Sequence, residues 1–264
     1  GGDSNTDVLT MLSSKSFELS VSDKMKDLLD NLTNPETFNN LNSISKKMIS
    51  ECKKQYDDNK NIPPNLYSKY IQVVSQSEQT WQKAKSDNDF KTMVPYLKEI
   101  IELTKEMYSY SKPNVDTYNA LLDDYEKGIT ENQLDTIFKE LKEGTIPLIE
   151  AISKKDKINQ HIFNGHYPIH LQERLSNYFL DVINFDFKSG CLSQSEHPFT
   201  TGINSPYDVR ITTNYDINDI RNSLFSVLHE GGHAIYEQNI NPKLVGTRLN
   251  TGASMGIHES QSRF

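Results

Sequence analysis

Two histidines four residues apart, His229 and His233, enclose a glutamate and two glycines, and this short run constrains the fold more than any other part of the chain. Four helical residues rise about 6 Å and nearly complete one turn, so a helix projects both imidazoles from one face, within reach of a single ion. That helix is expected to start near Asn218 and to run through Ile220, Leu224, Val227 and Leu228. Gly231 and Gly232 each cost about 1 kcal/mol relative to alanine in a helix interior. Their presence predicts that another part of the chain approaches this backbone closely.

The surroundings read as mainly helical. From about residue 16 to 155, apolar residues recur three and four apart with polar residues between them. Asn34-Pro35-Glu36 is a helix start, with Asn as the cap, Pro at the first position and an acid in the first turn; a Lys-rich helix is expected from there to about Asp58. Pro63-Pro64 opens another, in which Leu66, Tyr70, Val73, Val74 and Trp81 can face a core, and Phe90, Met93, Leu97, Ile100, Ile101 and Met107 form an apolar stripe. Thr130 and Gln133 have capping-box spacing before a helix around 131–153. A helix near 168–184 follows Gly165. The run from Asp208 to Tyr215 alternates as a strand does, with Val209, Ile211 and Thr213 on one side and Asp208, Arg210 and Thr212 on the other. The expected architecture is a flexible segment at 1–15 followed by one helical domain over 16–264. Within it, residues 16–155 are scaffold, and 156–264 hold a small β-sheet and the metal-site helices.

Composition excludes several functions. A net charge of −8 repels a phosphate backbone, so nucleic acid is not an expected partner. No run approaches the roughly 18 apolar residues of a membrane span. Residues 1–15 lack the basic start and apolar middle of a secretion signal, so a cytoplasmic protein without membrane partners is expected. Cys52 and Cys191 stand far apart with no CxxC neighbour, which argues against a disulfide scaffold or a thiolate metal site.

The chemistry therefore gathers around His229 and His233. Glu230 lies beside them, at the offset a general base needs: close to a water on the ion and angled away from ligation. A third histidine of the metzincin pattern is absent, because its glycine and histidine places are taken by Tyr236 and Asn239. Glu237 continues the row but lies about 12 Å along the axis from His229, too far for one tetrahedral ion. Glu259, at the expected start of the next helix, offers a carboxylate; its neighbour His258 is the competing ligand. Two histidines and one glutamate leave a position open for water, as in catalytic zinc sites.

The runs His229-Glu230-Gly231-Gly232-His233, Asp208-Val209-Arg210-Ile211-Thr212 and His258-Glu259-Ser260-Gln261, with His197-Pro198-Phe199, together resemble the Taq carboxypeptidase (thermostable carboxypeptidase) family. The resemblance implies a multi-helix, gluzincin-like fold with a small sheet beside the active-site cleft. It also implies a cytosolic homodimer that removes residues singly from peptides with a free C-terminus, using zinc or else cobalt. By the same resemblance His229, His233 and Glu259 match the metal ligands and Glu230 the catalytic base. Asp208, Arg210 and Thr212 match a strand motif beside the cleft, where they are expected to bind substrate. Arg210 is the best local cation for the substrate carboxylate, its alternative being an ion pair with Asp208. Chains of the family are about twice as long and carry later Ile-Arg-x-x-Ala-Asp and Gly-x-x-Gln-Asp-x-His-Trp motifs, whose arginine is thought to hold that carboxylate. This chain is accordingly expected to be a fragment or one piece of a divided protein. The rival expectation is an inert helical fragment or a non-catalytic peptide-binding module.

Overall fold

Asparagine side chains punctuate the first helices. The computed structural model describes residues 2–157, 160, 163 and 165–264. Eleven α-helices and one three-stranded sheet lie among the described residues, the mainly helical architecture expected. The chain divides into two compact units, Gly1–Leu121 and Leu122–Phe264.

The first unit contains α1 (Gly2–Ser20), α2 (Asp23–Thr33), α3 (Pro35–Asn39), α4 (Ser43–Asn59), α5 (Pro64–Ser86) and α6 (Phe90–Ser111), while α7 (Thr117–Tyr125) crosses into the second. Residues 2–15, expected to be flexible, form most of α1, with Gly1 outside the described residues. The Thr6 hydroxyl lies 3.0 Å from Ser75 Oγ and accepts a hydrogen bond from Gln79 at 2.7 Å, which ties the segment to α5. The single helix expected over 34–58 is broken in two. Asn34 caps α3 as its spacing suggests. The Asn40 amide then donates to Glu36 O, and Asn42 Oδ1 accepts from Ser45 N to start α4. Short polar side chains compete with the backbone for its own hydrogen bonds, and three asparagines in four positions, 39, 40 and 42, outweigh the apolar periodicity. The stripe expected on α6 is also corrected. Met93, Leu103 and Met107 are buried, the last two in a core against which Tyr96 and Ile100 pack, whereas Phe90, Leu97 and Ile101 are exposed. Positions 93, 96, 100, 103 and 107 keep one helical face; the other three drift around it. Phe17, Ile62, Leu66 and Val73 complete this core, with Tyr67 stacked on Phe17.

The second unit contains α8 (Glu131–Ser153), α9 (Ile169–Val182), β1 (Gly190–Gln194), β2 (Phe199–Gly202), β3 (Val209–Thr213), α10 (Ile220–Gln238) and α11 (Met255–Arg263). Thr130 and Gln133 make the expected capping box at the start of α8. The strand order is β1-β3-β2, with β1 parallel and β2 antiparallel to β3. Along β3, Val209, Ile211 and Thr213 are fully buried while Arg210 is exposed and Thr212 half-buried, the alternation read from the sequence. Val209 and Ile211 meet Val227 and Ala234 of α10 and Leu180 of α9 in one cluster, so the central strand seats the histidine-bearing helix.

A buried glutamine fixes that helix from the other side. Gln172 of α9 donates to the carbonyls of Tyr167 and Asp216 at 2.8 and 2.7 Å and accepts from the Ser223 hydroxyl of α10 at 2.6 Å. Gln172→Ala removes all three bonds at a site 1 % exposed. It is expected to lower stability by about 1–3 kcal/mol, read as an earlier urea midpoint at unchanged slope. No helix among the described residues is long and apolar enough to cross a membrane.

Candidate metal centre

Helix α10 begins at Asp219, whose carboxylate caps Arg221 N, and carries His229 and His233 one turn apart. Their rings sit 4.9 Å apart at 87° to one another. Helix α11 begins at Ser254, whose hydroxyl accepts from Ile257 N, and brings Glu259 to the pair. Glu259 Oε2 lies 3.6 Å from His229 Nε2 and 3.7 Å from His233 Nε2. The three donor atoms fall within 4.8 Å of one another. Ligands about 2.0–2.1 Å from a tetrahedral ion stand about 3.4 Å apart, so two imidazole nitrogens and a carboxylate oxygen at these separations fit one divalent ion. His229 and Glu259 remain partly open to solvent, which leaves a face of the site accessible.

The two glycines explain the closeness of approach. A Cβ on Gly232 would lie 2.6 Å from Ser262 Cα and 2.7 Å from Gln261 O, so the backbone of α11 rests directly on α10 there. A Cβ on Gly231 would lie 2.5 Å from Ile183 Cδ1 and 3.0 Å from Leu180 Cδ2 at the other side. The approach inferred from the sequence is therefore made twice, by α11 and by the end of α9.

Side chains around the cluster set its electrostatics. The Ser262 hydroxyl donates to Glu259 Oε2 at 2.6 Å and holds the carboxyl below the usual carboxylate range, with the two histidines acting in the same direction and burial opposing. Burial pushes the His233 imidazole below its ordinary value, and His258 adds to this, which favours the neutral form that can ligate. Glu230, 8 % exposed, sits next to His229 on α10. Thr200 of β2 lies 2.8 Å from both Glu230 Oε2 and Glu230 O, so its hydroxyl proton steadies the acid from the sheet side.

The strand residues are placed differently from the cluster. Arg210 Nε and Nη2 donate to the two oxygens of Asp208 at 2.8 and 3.0 Å, an exposed bidentate pair that holds the Asp208 carboxyl below its usual range. Thr212 Oγ1 accepts from Phe199 N at 3.1 Å and from Ser195 Oγ at 2.8 Å, joining β3 to the start of β2. His258, the competing ligand, faces away from the three donors: its Nδ1 is 2.6 Å from His233 Nδ1 and its Nε2 is 2.8 Å from Glu237 Oε1. Sequence reasoning missed Ser262 and Thr200. Ser262 had a signal, since it lies three residues after Glu259 on one helix. Thr200 is 30 residues from Glu230 and had none.

The profile of the carboxypeptidase Taq (M32) metallopeptidase family matches residues 1–264. Carboxypeptidase 1 of Bacillus subtilis is 42% identical over 265 residues, covering 100% of this chain and 52% of its own length. Thermostable carboxypeptidase 1 of Thermus thermophilus is 35% identical over 225 residues, covering 81% of this chain and 44% of its own. The solved structure of BsuCP superposes with a TM-score of 0.95 at 41% identity, covering 99% of this chain and 52% of that one. The chain spans about half the length of the curated relatives it matches.

Proposed function

The chain belongs to the carboxypeptidase Taq (M32) metallopeptidase family, and on that premise we propose that it carries the ion site and general base of a metallocarboxypeptidase that removes single residues from peptide C-termini. The observation that carries the reading is the meeting of His229 Nε2 and His233 Nε2 with one oxygen of Glu259, at 3.6 and 3.7 Å, beside a buried glutamate. In this reading His229, His233 and Glu259 hold one divalent ion. Two imidazoles and a carboxylate suit zinc, with cobalt as the alternative. When bound, the ion lowers the pKa of water to about 7 and polarises the scissile carbonyl.

The protein groups then supply the proton traffic. Glu230 takes a proton from the attacking water and passes it to the leaving nitrogen, and Thr200 orients its carboxylate for both transfers. Ser262 keeps Glu259 ionised and aimed at the histidines. Asp208, Arg210 and Thr212 line the substrate side. Asp208 engages two of the five guanidinium N–H groups of Arg210, which leaves three to meet a peptide carboxylate. The family relationship supports a cytoplasmic homodimer as the native form.

Exopeptidase action requires recognition of a free carboxylate, so peptide pairs differing only at the C-terminus test it. The native protein, loaded with zinc, is expected to release the last residue of a free-acid peptide and to cleave its amidated twin at least about 100-fold more slowly, read by chromatography of the released amino acid. Comparable cleavage of both would show an endopeptidase. Zinc bound without cleavage of either would favour a non-catalytic module.

A further inference from the structure

The sequence set Glu237 aside as too distant and offered His258 as the competing ligand, and the proposed ion site uses neither. We propose that they are positioning residues, a two-member relay that sets the tautomer of His233 and thereby the affinity of the ion site. The proposal rests on His233 being a ligand, as argued above.

The relay begins on α10 itself. Glu237 lies one turn beyond His233 on the same helix face, and His258 lies beside Glu259 in the first turn of α11. Glu237 Oε1 is 2.8 Å from His258 Nε2, and His258 Nδ1 is 2.6 Å from His233 Nδ1. A carboxylate only accepts, so His258 Nε2 must donate to it. With that hydrogen on Nε2, the Nδ1 of His258 is left to accept, and the group that meets it at 2.6 Å is His233 Nδ1, which then carries the hydrogen. His233 Nε2 is left without a hydrogen, on the side that faces Glu259. The opposite order places a hydrogen on His233 Nε2 and closes it to any metal. The tautomer that can ligate is therefore the one the relay enforces.

Packing shows that the pair is held in place. The His258 ring lies 4.6 Å from the Tyr236 ring and 4.7 Å from that of His233. Tyr236 Oη accepts from Ala253 N at 3.1 Å, which fixes the loop carrying Gly252 against it. A Cβ on Gly252 would lie 2.7 Å from His258 Cδ2, and one on Gly202 would lie 2.8 Å from Glu237 Oε2. Glycines on two separate segments thus make room for the two relay members. His258 also couples the sites: a shift of α11 moves Glu259 and the support of His233 together.

The test uses zinc alone as the probe, with affinity read by competition against a chromophoric chelator, and nitrogen NMR of ¹⁵N-histidine-labelled protein to read tautomers before metal is added. In the unmodified protein His233 is expected in the Nδ1–H form. His258→Phe keeps a ring beside Tyr236 but no nitrogen; it is expected to lose about 10–100-fold in zinc affinity and to release His233 to the Nε2–H form. Glu237→Leu is expected to do the same, while Glu237→Gln, whose amide oxygen still accepts, is expected to stay close to the unmodified protein. An Nε2–H His233 in the unmodified protein, or zinc binding by His258→Phe as tight as before, would overturn the relay. His229→Ala separates the two readings: unchanged zinc affinity there would remove the ion site itself, whereas the tautomer measurement judges the relay even if a variant fails to fold.

Discussion

Glu230→Gln is expected to lower kcat by about 10²–10⁴-fold while zinc content stays that of the unmodified protein. The amide has the shape of the carboxylate, and its oxygen can still accept the proton of Thr200 at the position where Oε2 now lies 2.8 Å away. The site is only 8 % exposed, so an isosteric change leaves no cavity. Basicity alone is lost. Elemental analysis of the purified variant, paired with single-residue release from a free-acid peptide, separates binding from chemistry. Turnover at the unmodified rate would remove Glu230 from the reaction, and loss of zinc would move it from base to support of the ion.

Gly232→Val is expected to weaken zinc binding by more than about 100-fold, because the loss of a ligand exceeds the 10–100-fold of a supporting residue. The atoms that a Cβ would meet are Ser262 Cα and Gln261 O, at 2.6 and 2.7 Å, with Gln261 C at 3.2 Å. These are backbone, so relief requires α11 to move as a body, and α11 carries Glu259. The separations of 3.6 and 3.7 Å to the histidines must then lengthen beyond what one ion spans. Overpacking also costs about 1–3 kcal/mol, measurable by urea denaturation. Gly231→Ala is the informative partner. Its Cβ meets the tips of Ile183 and Leu180, side chains that can turn aside on α9 and just after it, so stability falls while zinc affinity holds. Equal zinc affinities for the two variants would show that the seating of α11 on Gly232 does not govern the site.

The helices were legible where local chemistry and burial agree. Thr130 and Gln133 cap α8, Pro64 opens α5, and the alternation of β3 matches its buried and exposed sides. Legibility failed where two local tendencies compete. The asparagines at 39, 40 and 42 interrupt a periodicity that reads as one helix, and the stripe on α6 includes exposed Phe90, Leu97 and Ile101 because apolar residues occupy more of that helix than its neighbours cover. Periodicity reports which faces can be buried; only the neighbouring elements select which are.

The same division runs through the candidate site. Spacing alone determined that His229 and His233 share a helix face, that Glu230 sits beside them and that two glycines demand a close neighbour, because an α-helix has a fixed rise and turn. Which segment fills that demand was decided by tertiary structure, as were the meeting of Glu259 with both histidines, the bond from Thr200 to Glu230 and the turning of His258 towards Glu237. Those contacts join residues 21 to 51 positions apart across separate elements, and no repeat of the backbone encodes where two such elements come to rest.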